Sequence, residues 1–151
     1  GLFENEVYEG VPEMMEALRS AGHTISLATA KPEDTAIRIV EHFGLSGFFA
    51  RKVGSTSDIG SERRTKGEVI RHCLHLLGIS SHDRIALDHV VMIGDRDHDV
   101  EGAHLNAIEC LGVSWGFGSR KELHDAGALA IVDHPRDVAA AVATTYRAHE
   151  S

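Results

Sequence analysis

Val90-Val91-Met92-Ile93-Gly94-Asp95-Arg96-Asp97-His98-Asp99-Val100-Glu101-Gly102-Ala103 is the stretch that decides the fold. Four apolar residues run into a glycine and then into three aspartates at alternate positions, the pattern of a buried strand that turns and hands over to a helix. In a parallel sheet the carboxyl end of a strand faces the ligand crevice, so Asp95, Asp97 and Asp99 gather oxygens where a phosphate or a hard cation sits. Mg²⁺ is the cation such oxygens suit. Helix chemistry accounts for two of the three: Asp97 can cap the helix that follows, and Asp99 then lies in its first turn against the positive end of the dipole. It leaves Asp95, at the strand end with no helical N–H in obvious reach, as the candidate functional carboxylate.

Helix and strand patterns alternate on either side of this segment. Val11 to Ala21 reads as an amphipathic helix with Pro12 in its first turn and Gly22 at its end, followed by a strand from His23 to Thr29. A second helix is expected from Pro32 to Phe43, closed by Gly44, then a short extended piece from Phe48 to Val53. The third helix, Thr65 to Leu77, ends at Gly78 and precedes the strand Val90 to Ile93. Helix 97–105, strand 108–113, helix 119–126, strand 129–132 and helix 135–147 complete the run. Strands separated by helices define an α/β fold, a doubly wound parallel sheet with helices on both faces. The polar, glycine-containing stretch from Gly54 to Arg64 is expected to be the least ordered.

Composition narrows the function classes. The chain has 151 residues, enough for one domain with a real core, and its 42% hydrophobic and 25% charged residues are ordinary for a soluble globular protein. A net charge of -8 argues against nucleic-acid binding, since no basic surplus exists to neutralise phosphates. No apolar run approaches the length of a membrane span, and Gly1 to Glu6 lacks the parts of a signal peptide. Cys73 and Cys110 sit in apolar-patterned segments and form no disulfide or metal framework, which fits a reducing compartment, the cytoplasm by default.

Two further candidates follow from local pattern. Thr65-Lys66-Gly67-Glu68 fits a capping box, with Thr65 at the N-cap and Lys66 at the first helical position. A lysine there opposes the helix dipole, and so do Arg63 and Arg64, each by about 0.3–1 kcal/mol unless an anion is nearby. The cap fixes Lys66, which is therefore a functional candidate; Arg63 and Arg64 read more simply as a flexible basic loop reaching into water. Thr29 closes the strand Ile25-Ser26-Leu27-Ala28, and with Pro32 in the next helix's first turn, Lys31 is the expected N-cap. The Thr29 hydroxyl is then free to donate to a ligand oxygen. His72 and His75 flank Cys73 at i, i+3 spacing, but no second ligand pair follows, so they read as surface histidines around a buried thiol. His98 lies beside the aspartates with no role assigned. Trp115 and Phe117 follow a strand and either border the substrate or pack over the sheet's end.

The segments Leu27-Ala28-Thr29-Ala30-Lys31-Pro32, Thr65-Lys66-Gly67-Glu68 and Gly94-Asp95-Arg96-Asp97-His98-Asp99 resemble, in order, motifs two, three and four of the haloacid dehalogenase-like hydrolases. Within that family the chain is most similar to the phosphoglycolate phosphatase-like branch. The similarity extends from Tyr8-Glu9-Gly10-Val11-Pro12, which looks like the return from a helical cap, to Gly112-Val113-Ser114-Trp115-Gly116-Phe117-Gly118-Ser119 and Glu122-Leu123. The resemblance implies hydrolysis of a small-molecule phosphate monoester through an aspartyl-phosphate, with Mg²⁺ holding nucleophile and phosphate together. It implies that Thr29 binds the phosphoryl oxygens, that Lys66 neutralises the nucleophile and the developing charge, that Asp95 binds Mg²⁺ directly, and that Asp99 acts through a metal-bound water or by orienting Lys66. Ala30 departs from the small polar residue often found beside the motif-two threonine, so that secondary phosphate contact is not carried over.

The first motif of the family, a strand ending in Asp-x-Asp-x-Thr, has no counterpart before Thr29, so no nucleophile is found in this chain. Asp95-Arg96-Asp97 does not replace it, because Gly94 interrupts the strand and Asp99 stands where threonine should. The family's first strand lies mid-sheet, between the strands ending at Thr29 and Ile93, and without it both would be open edges. The expectation is that residues 1–151 form the carboxyl-terminal part of a core domain, that residues 1–10 are the return linker from an absent cap, and that an upstream segment, or a dimer partner, covers the open edges. The competing expectations are a non-catalytic phosphate- or Mg²⁺-binding module or inactive fragment, and a phosphoacceptor signalling domain. The last is disfavoured because Lys66 precedes the aspartates.

Overall fold

A computed structural model of the chain describes residues 8–60 and 62–150, with side chains through residue 146. Its elements are α1 (Val11–Ser20), β1 (Ile25–Pro32), α2 (Glu33–His42), β2 (Phe49–Ser55), α3 (Lys66–Leu76), α4 (Arg84–Leu87), β3 (Val91–Gly94), α5 (Asp97–Leu105), β4 (Glu109–Val113), α6 (Arg120–Ala126), β5 (Ala130–Val132) and α7 (Val138–Glu150). Of the expected linker over residues 1–10, the first seven lie outside the described residues; residues 8–10 form a turn in which the Val11 N–H donates to the Tyr8 carbonyl at 3.1 Å.

Three local expectations are corrected. β1 runs on through Pro32, which pairs with Ser55, so Pro32 rather than Lys31 is the N-cap of α2 and no side chain caps that helix. The helix expected from residue 135 starts as a 3-10 turn, Pro135–Asp137, before α7. The short α4 was not anticipated; the Asp83 carboxylate caps it by accepting from the Ala86 N–H at 3.1 Å.

Every strand pairing is parallel, and strand residues alternate between two cores as a period of two requires. Ile25, Leu27, Val91, Ile93, Leu111 and Val132 pack toward Val11, Met14, Met15 and Leu18 of α1 and Val138 and Val142 of α7. Met92, Cys110 and Ile131 point the other way, toward Ile70 and Leu74 of α3, Val100 and Ala103 of α5 and Leu123 of α6. Helices thus cover both faces, and the doubly wound architecture holds. Both cysteines are free and buried. No described helix is long and apolar enough to cross a membrane.

The five strands fall into two sets, β1-β2 and β3-β4-β5. Among the described residues no strand pairs with the outer edge of β1 or of β3. A cavity of about 620 Å³ runs between these edges, from Met14, Val142 and Tyr146 to Thr29 and Asp95. β4, paired on both sides, is buried from Cys110 onward, whereas Val91, Met92 and Ile93 of β3 and residues 25–29 of β1 remain partly exposed.

The stretch expected to be least ordered, 54–64, is pinned near its ends. Thr56 and Arg63 exchange two backbone hydrogen bonds of 2.9 Å each as an antiparallel bridge, and Arg63 is only 8% exposed. Its guanidinium reaches inward instead of into water.

Candidate active site

Parallel strands deliver their carboxyl ends to one edge of the fold, and the expected residues meet there: Thr29 from β1, Lys66 from the first turn of α3, and Asp95 and Asp99 from β3 and α5 all line the polar end of the cavity. Asp95 is 3% exposed. Its Oδ2 accepts the Phe117 N–H at 2.9 Å, and its carbonyl accepts the Gly118 N–H at 3.0 Å, so the loop after β4 grips it from the neighbouring strand. Two glycines create the room. A Cβ on Gly116 would stand 2.3 Å from the Asp95 Cβ, and one on Gly94 would stand 2.3 Å from the Asp99 Cβ. Gly94 therefore does not interrupt the strand as expected: it is the last residue of β3, paired with Gly112, and its missing side chain lets the Asp99 side chain fold back over the strand end.

Asp99 is the N3 residue of α5, and its Oδ2 accepts the N–H groups of Asp95 at 3.0 Å and Arg96 at 3.1 Å. Its other oxygen, Oδ1, lies 2.7 Å from the Lys66 Nζ, with both side chains under 10% exposed at 4% and 9%. Burial alone would raise the Asp99 carboxyl, but the Lys66 charge and hydrogen bond, with the Arg96 N–H, outweigh it and hold the group below the ordinary carboxylate range. Lys66 is also placed from behind by the expected capping box: the Thr65 Oγ1 accepts the Glu68 N–H at 3.2 Å and the Glu68 carboxylate accepts the Thr65 N–H at 3.1 Å. The Thr29 Oγ1 accepts the Lys31 N–H at 3.2 Å, which leaves its own O–H to donate.

Asp97 departs from expectation. The N-cap is Arg96, and Asp97 sits at the first helical position with its carboxylate on the adjacent His98 N–H, outside the cavity wall. Two residues given no role in the sequence reading hold the segments around the site. The Glu122 Oε2 accepts the Asp97 N–H at 2.8 Å and the Arg96 Nε–H at 2.9 Å, which locks the turn after Asp95 onto α6. Those two bonds, the backbone one foremost, lower the Glu122 carboxyl. Glu122 stands three residues after the N-cap Ser119, a capping-box spacing that explains it locally and so conceals its partner across the site. The other is Glu33, which binds Arg63.

The remaining candidates divide cleanly. His98 is half exposed, its Nδ1 3.7 Å from the Asp99 Oδ1. Arg64 is exposed and pairs with Glu62. His72 and His75 lie on α3 with ring centroids 6.3 Å apart, and no group of three metal-binding side chains occurs among the described residues. Trp115 packs against the α1–α7 core, so it belongs to the sheet's end, whereas Phe117 lines the cavity at 57% exposure.

The donor set fits a hard cation in kind: buried carboxylate oxygens beside a lysine and a hydroxyl, with no thiolate or imidazole cluster. It is short in number, since Asp99 is already engaged by Lys66, and the balance of an oxygen shell would have to come from other oxygens.

The family model for haloacid dehalogenase-like hydrolases matches residues 2–105, and a second model for hydrolases of this type matches residues 66–145. The chain belongs to the haloacid dehalogenase-like hydrolase family. It is 45% identical over 123 residues to a 5'-nucleotidase of Pseudomonas aeruginosa, spanning 82% of this chain and 52% of that protein. It is 35% identical over 130 residues to the tyrosine-protein kinase PtkA of Mycobacterium tuberculosis, 86% of this chain and 42% of that one. Phosphoglycolate phosphatases match as well; that of Rhodospirillum rubrum is 30% identical over 127 residues, 84% of the chain and 49% of the enzyme. Among solved structures, one described as a predicted phosphatase from Clostridium acetobutylicum superposes with a TM-score of 0.81 at 37% identity, covering 92% of this chain and 61% of that one. The chain thus spans about half the length of the curated relatives it matches.

Proposed function

We propose that this chain is the core of a Mg²⁺-dependent phosphate monoester hydrolase that works through an aspartyl-phosphate. The observation that carries this reading is the convergence of Thr29, Lys66, Asp95 and Asp99 on one cavity wall, with a buried Lys66–Asp99 pair of 2.7 Å. Thr29 donates its O–H to a phosphoryl oxygen, and Lys66, desolvated and fixed by Asp99, offsets the charge that develops on the transferring group. Asp95, with Asp99 behind it, would hold Mg²⁺; when bound, the cation brings phosphate and nucleophile together and neutralises charge. The nucleophile comes from an extended segment outside this chain that lies between the edges of β1 and β3 that no strand pairs among the described residues, and the apolar, two-edged shape of the cavity supports that assignment. Its carboxylate attacks phosphorus as the P–O ester bond breaks, the leaving oxygen takes a proton from a general acid on the same segment and departs as the alcohol, and water then cleaves the acyl phosphate to release inorganic phosphate. Substrates are small phosphate esters, with 5'-mononucleotides and phosphoglycolate the first to test.

The test is steady-state hydrolysis of p-nitrophenyl phosphate, a 5'-mononucleotide and phosphoglycolate by the full-length protein, with Mg²⁺ titrated. Lys66→Met should lower kcat by about 10²–10³ and Thr29→Ala by about tenfold, in variants shown by circular dichroism to be folded. Turnover at the wild-type level in Lys66→Met rejects the mechanism. Metal and phosphate binding with no turnover in the full-length protein would favour the non-catalytic binding module.

A further inference from the structure

Arg63 is a buried charge that the proposed phosphate chemistry does not use. Its Nε–H donates to the Gly54 carbonyl at 3.1 Å and its second guanidinium nitrogen, Nη2, donates to the Glu33 Oε1 at 3.1 Å. The same Glu33 oxygen accepts the Gly54 N–H at 3.1 Å. Gly54 is pressed so close that a Cβ there would stand 2.5 Å from the Glu33 Cα, so the end of β2 meets the start of α2 with no side chain between them. Three segments converge on this knot: the start of α2, the end of β2 and the approach to α3. Glu33 directly follows the end of β1, which carries Thr29, and Arg63 lies just before the N-cap Thr65 and Lys66.

We infer that Arg63 and Glu33 form a strut that sets the separation between Thr29 and Lys66, which makes both of them positioning residues for the phosphate site; this rests on the phosphate-site reading above. Stability is a weak reason for such a pair. Desolvating a guanidinium to meet a carboxylate roughly cancels the attraction gained, and a cation ahead of α3 opposes the helix dipole. What the pair supplies is geometry. Arginine donates in two fixed directions from one plane, here to a carbonyl on β2 and a carboxylate on α2, which an ammonium cannot reproduce. Lys66 is held at its tip by Asp99 and its backbone follows Arg63 by three residues, while Thr29 stands only four residues upstream of Glu33.

The experiment compares Arg63→Ala, Arg63→Lys, Glu33→Ala and Glu33→Gln in the full-length protein, with inorganic phosphate as competitive inhibitor and amide hydrogen exchange as a second readout. Arg63→Ala, Arg63→Lys and Glu33→Ala should raise KM and the phosphate inhibition constant about tenfold, with kcat moving less and the Mg²⁺ activation constant within about twofold of wild type. Glu33→Gln keeps the accepting oxygen and should restore wild-type values. Exchange should quicken at the Lys31 and Glu68 amides, which report the Thr29 end of β1 and the Lys66 cap. Unchanged phosphate inhibition with faster exchange confined to residues 54–64 overturns the inference and leaves the phosphate site standing. Wild-type turnover in Lys66→Met would instead reject the site, and the Lys31 and Glu68 amides would still decide the strut. Should Arg63→Ala not fold, the Arg63→Lys and Glu33 variants carry the comparison.

Discussion

Replacing Lys66 by methionine tests the centre of the site through stability as well as rate. Methionine keeps the length of the stem and removes the charge, leaving Asp99, 4% exposed at its side chain, as a buried carboxylate with two backbone N–H donors and the half-exposed His98 ring 3.7 Å away. Breaking a buried pair from one side costs about 3–5 kcal/mol; the two retained hydrogen bonds place the expected loss near the lower end, about 3 kcal/mol at pH 7. For a chain of this size that is a fall in Tm of about 6–12 °C. The sign with pH is fixed. In the wild type the Asp99 carboxyl is held below its unfolded value, so its contribution is present above that value and is lost as pH falls through the folded one. Without Lys66, burial dominates and the carboxyl rises, so the variant is penalised at neutral pH and relieved when Asp99 takes up a proton. The gap between the two proteins should therefore shrink between about pH 7 and pH 4. Urea denaturation across that range, without metal, measures it, and Lys66→Met/Asp99→Asn should recover part of the loss. A destabilisation below about 1 kcal/mol that is flat with pH would refute the view of Asp99 as a buried ion held by Lys66.

The remaining predictions touch the metal, the grip on it and the thiols. If Asp95 holds Mg²⁺, the cation should raise wild-type stability by about 2.7 kcal/mol at a hundredfold excess over Kd, and Asp95→Asn should abolish the rise; thermal melts with titrated MgCl₂ decide it. Gly116→Ala, whose Cβ would stand 2.3 Å from that of Asp95, should cost about 1–3 kcal/mol and weaken Mg²⁺-dependent stabilisation, whereas Gly47→Ala, with open space around it, should leave Mg²⁺ binding unchanged. Burial, with Asp99 nearby, pushes the Cys110 thiol from 9.0 up to about 12. Its contribution is therefore intact below about pH 9 and lost as pH rises toward 12, and neither Cys110 nor the buried Cys73 should react with a thiol reagent at pH 8 until urea unfolds the chain.

What could be read in the sequence was whatever a single element encodes by itself. The strand leading into Asp95, the capping box that sets Lys66 and the alternation of helix and strand are local patterns; the capping box stands where it was expected and the strand is shifted by one residue, to Val91–Gly94. The misreadings share a cause. Arg63 looked like a solvated loop residue because its partners, Glu33 and Gly54, are thirty and nine positions away. Asp97 looked like the cap because a helix-first-turn aspartate usually is one, yet Asp99 folds back to take the Asp95 and Arg96 amides once Gly94 leaves it room. Glu122 was hidden by a local pattern that explained it completely. A one-dimensional reading assigns each polar side chain its nearest backbone duty, whereas a buried site recruits polar side chains across elements because every desolvated group there must find a partner.

The placement of α3 shows why fold and site are the same problem in this chain. One flank of the helix packs Val69 and Cys73 against Val53 beneath β1 and β2, and the other packs Ile70 and Leu74 against Val100 and Ala103 of the β3–β5 half. Among the described residues no backbone pairing crosses the cavity, so the two sheets are joined there through side chains alone. Lys66 stands at the first turn of this connecting helix, tied forward to Asp99 of one half, while Arg63 just before it is tied back to Glu33 of the other. A phosphate gripped by Thr29 and Lys66 and a cation held by Asp95 would then add a bridge between the halves at the open end of the cavity, beside the extended segment proposed to lie between β1 and β3. Under the proposed function, each ligand would bind more tightly once the other had ordered the side chains at that end, because the second would find part of the ordering already done.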